Sequence, residues 1–219
     1  MNPVFVTGGT GYVGRPLIEA LLARGHTVHA LARPASAEKL PSGVRTVIGN
    51  ALEEGTFAVA IPPHATFVHL VGTPHPNPSK AEEFRRVDLA SIHAAVGAAR
   101  QAGVDHFVYV SVAHPAPVMH AYIAVRQEGE ALIRSSGIRA TILRPWYILG
   151  PGHRWPVALL PVYALLRSIP ETRAGAERLG LITRGGMIAT LVKAIEAPPT
   201  ERVRILAVPD IRRLAGEIG

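Results

Sequence analysis

The first fourteen residues constrain this chain more than any others. Val4-Phe5-Val6 is a short apolar run of strand-forming residues. Thr7-Gly8-Gly9-Thr10-Gly11-Tyr12-Val13-Gly14 follows at once, and a helical pattern opens at Pro16. Strand, glycine-rich turn and helix in that order form a cradle for a nucleotide pyrophosphate. Gly9, Gly11 and Gly14 satisfy G-x-G-x-x-G, and Gly8, Gly11 and Gly14 also satisfy G-x-x-G-x-x-G. In such a turn the glycines permit the tight bend, the approach of backbone to phosphate and the close packing of helix on strand. The helix start adds free N–H groups and a partial positive charge that favour an anion. Pro16 suits the first turn, where its missing N–H removes no hydrogen bond.

Strand and helix signals then alternate. Strands are expected at 4–7, 27–31, 45–48, 66–71, 106–110 and 141–143, and helices at 16–24, 35–40, 81–101 and 122–135. Gly25, Gly103 and Gly137 each follow a helix, where a terminating glycine belongs. Such alternation implies a parallel sheet covered on both faces, a Rossmann-type doubly wound α/β fold. Residues 51–63 read as a short helix or irregular crossover ended by Pro62-Pro63, and 73–79 as an extended proline-rich loop. Ser79 is placed to cap the next helix, with Glu82 completing a capping box. Beyond Pro145 the alternation weakens. Helices are expected at 157–167, 171–179 and 187–197, a strand at 202–208 and a terminal helix from Asp210. The chain therefore divides into a nucleotide-binding domain, 1–148, and a small, mostly helical C-terminal cap, 149–219, integrated with it.

Composition narrows the function classes. There is no cysteine, which excludes disulfides and thiolate metal sites. The ten histidines are scattered, without H-E-x-x-H spacing, so no metal site is expected. The net charge is +7, and of 23 basic residues only Lys39, Lys80 and Lys193 are lysine. The arginines form no long run and aromatics are few, a poor match to a nucleic-acid surface. The positive field instead suits a small anionic ligand. Asn2 and Pro3 lead straight into the first strand without a basic, apolar leader, and the apolar stretch 155–166 is shorter than the ~18 residues of a membrane span. These features point to a cytoplasmic protein with a small-molecule substrate.

In dinucleotide folds an acidic residue after the second strand holds the ribose hydroxyls of NAD, whereas an arginine there accommodates the 2′-phosphate of NADP. No acidic residue lies between Glu19 and Glu38, and Arg33 stands just past the strand at 27–31. This favours NADP(H) over NAD(H), because a guanidinium pairs with phosphate in a fork.

Together with the opening turn, His29-Ala30-Leu31-Ala32-Arg33, Phe67-Val68-His69-Leu70-Val71-Gly72, Phe107-Val108-Tyr109-Val110-Ser111 and Ile142-Leu143-Arg144-Pro145 occur in a characteristic order and spacing. In these stretches, about two thirds of its length, the chain resembles the short-chain dehydrogenase/reductase superfamily, above all its atypical NmrA-like and extended epimerase/dehydratase branch. The resemblance implies strand order 3-2-1-4-5-6-7 and NAD(P) across the strand carboxyl ends. It implies that residues 8 to 14 (Gly8, Gly9, Thr10, Gly11, Tyr12, Val13 and Gly14) hold the pyrophosphate. It also places Asn50 and Ala51 by the adenine, and Val71, Gly72, Thr73 and Pro145 along the cofactor.

The resemblance further implies Ser111 as the group that orients substrate oxygen, and a Tyr-x-x-x-Lys helix. Here that helix reads Tyr122-Ile-Ala-Val-Arg126. Tyr122 is the implied proton donor or acceptor, and Arg126 replaces the lysine that holds the nicotinamide ribose. A spacing of four keeps both on one helix face. Arginine does not readily lose a proton, so a lysine-type relay is lost. Asp88 stands where extended members often carry asparagine. Two readings follow: an NADP(H)-dependent oxidoreductase or epimerase-like enzyme using Ser111, Tyr122 and Arg126, or a non-catalytic NAD(P)-binding sensor or assembly factor.

Overall fold

The structure, a computed structural model, describes residues 2–152, 161, 165–166 and 168–216. Seven parallel strands make the main sheet in the order β3-β2-β1-β4-β5-β6-β9. They are β1 (Val4–Thr7), β2 (Val28–Ala32), β3 (Arg45–Ile48), β4 (Thr66–His69), β5 (His106–Val110), β6 (Arg139–Arg144) and β9 (Val203–Ala207). Because side chains alternate along a strand, each strand feeds two cores. Val4 and Val6 join Leu17, Ile18, Val68, Met187 and Leu191 on one face, whereas Phe5 joins Phe57, Ile92 and Ile142 on the other. Register aligns Phe5 with Phe67 and Phe67 with Phe107. The result is a ladder of aromatic rings with centroids 5.2 and 5.1 Å apart across three strands.

The helices close both faces. On the first lie α1 (Gly14–Ala23), α5 (Arg184–Glu196) and α6 (Val208–Ala215). On the second lie α2, running over 81–101, and α3 (His120–Ser136). A further helix, α4 (Pro170–Arg178), precedes a two-stranded parallel sheet of β7 (Tyr147–Leu149) with β8 (Leu181–Thr183). No described helix is long and apolar enough to cross a membrane.

Several local expectations need correction. Ser79 does not cap the helix after it. Asn77 instead caps the 3-10 turn Pro78–Lys80 that leads into it, its side chain accepting from Ser79 N at 3.0 Å and from the Ser79 hydroxyl, and no side chain caps the helix start at Ala81. Helix α2 is not uniformly α-helical: one turn at Ala81–Glu83 gives way to a π segment, Phe84–Leu89, before the α-helix Ala90–Gln101. Residues 51–63 contain two short 3-10 turns, Glu54–Thr56 and Ala58–Ala60. Pairing of β7 with β8 was not foreseen, because three-residue strands carry too little pattern to register. The expected helix at 157–167 falls largely outside the described residues. β9 pairs with β6, and α5 and α6 pack into the core shared with β1 and α1.

Candidate dinucleotide cleft and adjoining polar cluster

The turn after β1 folds tightly against its neighbours. Gly8 has φ +77°, and a Cβ there would lie 2.8 Å from the carbonyl carbon of Leu70 at the end of β4. Any larger residue would force the two backbones apart. The Gly11 N–H donates to Gly8 O at 3.0 Å. A Cβ on Gly14 would lie 2.2 Å from Gly8 O, so α1 starts in direct backbone contact with the turn. No side chain caps α1 and no acidic residue stands in its first turn, which leaves its positive end suited to an anion.

Beside this turn lies a cleft of about 400 Å³ across the carboxyl ends of β1 to β4. Of the residues expected to touch a cofactor, Gly8, Thr10, Gly11, Arg33, Asn50, Ala51, Val71 and Gly72 line it. The remainder stand behind or beside the wall. Gly9 packs towards Ile18, and Gly14 on Gly8. Val13 is half-buried against the core. The Tyr12 ring lies 4.9 Å from the Arg184 guanidinium and packs close to Gly150. Pro145 O accepts from Ala113 N at 2.8 Å. Sequence reasoning missed Ser36, Glu83 and Val87 as lining residues. Ser36 follows Arg33 by three, and its hydroxyl donates to Arg33 O at 3.2 Å. That turn signal was legible in principle. Glu83 and Val87 come from α2, whose orientation no local pattern reveals. Asn50 orders its own turn: its side chain accepts from Leu52 N at 3.2 Å and donates to Glu53 at 2.6 Å.

A polar cluster adjoins the cleft at Gly72. Arg126 is buried, and its Cζ lies 5.0 Å from the centre of the Tyr122 ring, so the i, i+4 spacing does bring the two together. Its Nη2 donates to Asp88 Oδ1 at 2.5 Å and its Nη1 to Val110 O at 3.1 Å, with Tyr109 OH at 3.4 Å. Asp88 Oδ2 accepts from both the N–H and the hydroxyl of Thr73, at 3.0 and 2.6 Å. The guanidinium fills the space behind Gly72, where a Cβ would lie 2.4 Å from Nη2. Burial opposes the charge on Arg126, but Tyr122, Tyr109 and Asp88 outweigh it and raise its pKa above the ordinary value.

Ser111 is placed differently from Tyr122. Its hydroxyl is buried and donates to Glu130 Oε1 at 2.7 Å. Glu130 lies eight residues beyond Tyr122 on α3, about 12 Å along the helix. Arg144 holds the same carboxylate from two sides, Nε on Oε1 at 2.9 Å and Nη2 on Oε2. Burial opposes ionisation of Glu130, yet the hydrogen bonds from Arg144 and Ser111 prevail and lower its pKa. His114 Nε2 lies 3.5 Å from Glu130 Oε1. His120, at the start of α3, is exposed.

Residues 8–154 match the family model described as NAD(P)H-binding. The chain belongs to this NAD(P)H-binding family. A ceramide reductase of Caulobacter vibrioides is 28% identical over 219 residues, covering 96% of this chain and 65% of that protein. A 3-diazoavenalumate denitrifying reductase of a Streptomyces species is 30% identical over 226 residues, covering 90% of this chain and 73% of that one. The chain thus spans just under two thirds of the ceramide reductase. A short-chain dehydrogenase/reductase superfamily protein from Agrobacterium tumefaciens, solved with bound NAD, shares the fold at TM-score 0.69 and 20% identity, covering 98% of this chain and 83% of that one. The family binds NAD(P), and the cleft fits such a group: its glycine turn leaves no room for side chains at Gly8 and Gly14, and an uncapped helix start lies beside it.

Proposed function

We propose that this chain is an NADP(H)-dependent oxidoreductase, or an epimerase-like enzyme, acting on a carbonyl or hydroxyl group of a small molecule. The observation that carries this reading is the contact chain from Tyr122 through Arg126 to Gly72, which connects the partly buried Tyr122 to the wall of the dinucleotide cleft. In this reading the backbone of Gly8 to Gly11 and the start of α1 hold the pyrophosphate. Arg33 and Ser36, side by side on the cleft wall after β2, hold a 2′-phosphate. When held there, NADP(H) would be the source or the acceptor of the hydride. Tyr122 OH gives a proton to the substrate oxygen in reduction, or takes it in oxidation. Arg126 is a fixed cation on the Tyr122 ring. Ser111 orients the substrate side through its tie to Glu130.

Residues 149–219 are read as a substrate-side cap integrated with the nucleotide-binding domain. Two contacts support this: Arg184 lies on Tyr12 of the glycine turn, and Arg178 Nε donates to Pro115 O at 3.0 Å in the loop after Ser111. NADPH oxidation measured against a panel of carbonyl compounds, with Tyr122→Phe as control, tests the enzymatic reading. A second reading, a non-catalytic NAD(P) sensor, draws support from the Ser111 hydroxyl being engaged by Glu130 and from the guanidinium of Arg126 standing behind the cleft wall. Tight cofactor binding with no turnover on any carbonyl compound would favour it.

A further inference from the structure

We propose that Asp88 and Arg126 form one positioning unit that locks the cleft wall at Gly72–Thr73 to the helix carrying Tyr122; this deepens the dinucleotide reading above and rests on it.

Three separate segments meet at Asp88. The π segment of α2 brings in the carboxylate, the loop after β4 brings Thr73, and α3 brings Arg126. The Asp88 side chain has no solvent exposure, and both its oxygens are filled: Oδ1 by the guanidinium, Oδ2 by the two donors of Thr73. π segments are rare and concentrate at functional sites, because the extra residue per turn re-aims a side chain.

The chemistry ties positions 88 and 126 to each other. Every group facing Asp88 is a donor. An amide here would accept from one side and turn its NH₂ against donors on the other, so only a carboxylate satisfies Thr73 and residue 126 at once. The planar fork of arginine then reaches Asp88, Val110 O and Tyr109 OH at the same time, which a single ammonium does not. Gly72 completes the arrangement, since a methyl group there would occupy the position of Nη2. The aspartate and the arginine are therefore one unit. Arg126→Lys by itself would place an ammonium in the grip of Asp88, and would not restore a lysine free to enter the cleft.

The test is a double-mutant cycle on the full chain: wild type, Asp88→Asn, Arg126→Lys and the double variant. Thermal midpoint and NADPH affinity by fluorescence are measured for each. The unit predicts that each single change weakens NADPH binding by about tenfold or more and lowers the midpoint. It also predicts that the losses are not additive: the double variant loses clearly less than the sum of the two single changes, because each alone already breaks the unit. Additive losses would overturn it. If either single variant fails to fold, Thr73→Val decides: it removes one of the bonds to Asp88 and keeps the Thr73 N–H bond and the ion pair, so it is expected to fold with a modestly lower midpoint and to weaken NADPH binding several-fold, and unchanged binding would overturn the unit. Failure of the wild type to bind either NADPH or NADH would refute the dinucleotide reading itself, leaving the midpoint cycle to decide whether the pair is coupled.

Discussion

The Cα of Gly14 faces the carbonyl oxygen of Gly8 so closely that a methyl group on Gly14 would lie 2.2 Å from that oxygen and 2.8 Å from Gly9 Cα. Both obstacles are backbone and neither can rotate away. Gly14→Ala must push α1 off the turn, and overpacking of this kind costs about 1–3 kcal/mol. The expected outcome is a lower thermal midpoint together with at least about tenfold weaker dinucleotide binding, since the helix start and the turn shape one site. Wild-type affinity in Gly14→Ala would contradict this geometry.

Arg33 is exposed and lines the cleft beside Ser36. A charge-assisted bond to phosphate contributes roughly 1.5–3 kcal/mol, so Arg33→Ala is expected to weaken NADPH binding about tenfold to a hundredfold. NADH, without the 2′-phosphate, should bind Arg33→Ala and wild type alike. Calorimetric titration of both proteins with both nucleotides checks this, and equal losses for the two would remove Arg33 from the phosphate role.

Tyr122→Phe keeps the ring that lies on Arg126 and packs 4.9 Å from Phe84. Only the hydroxyl is removed. Cofactor binding and stability should stay near wild type, while turnover falls by about 10² to 10⁴, the usual contribution of a positioned proton donor. Single-turnover rates against dissociation constants separate the two effects.

Glu130→Gln leaves the Arg144 charge without its carboxylate and turns an NH₂ towards the Arg144 guanidinium, while the amide oxygen can still accept from Ser111. Breaking a buried pair from one side typically costs about 3–5 kcal/mol. Arg144 is partly exposed, so the lower end is expected, read from chemical denaturation.

Two buried histidines set the acid sensitivity. Burial, reinforced by Arg126, lowers His69 from 6.5 to about 3. Burial, with Arg204 and Arg139, lowers His106 from 6.5 to about 4. Both folded values lie below the unfolded ones, so below pH 6.5 the unfolded chain binds more protons. Their contribution is complete above that pH and declines as the pH falls towards the folded values, by about 1.4 kcal/mol per unit for each histidine. Urea midpoints should therefore drop steadily from neutral pH to about pH 5. A flat profile would show that neither ring stays neutral in the folded chain over this range.

What the sequence determined by itself was local and periodic. Apolar runs broken by glycine and proline located most main-sheet strands to within a residue or two, and the turn at Gly8–Gly14 announced its cleft because strand, turn and helix are contiguous. Arg33 was found for the same reason: it follows β2 directly. The tertiary structure decided everything that depends on residues distant in sequence. Tyr122 and Arg126 share a helix face by spacing alone, but which way the guanidinium turns was set by Asp88, 38 residues earlier, and by the absence of a side chain at Gly72. Ser111 was legible as the polar end of β5, whereas its bond to Glu130 was not. A buried donor must find an acceptor among whatever the packed elements bring within reach. That choice is made by register and helix orientation, which no local pattern contains.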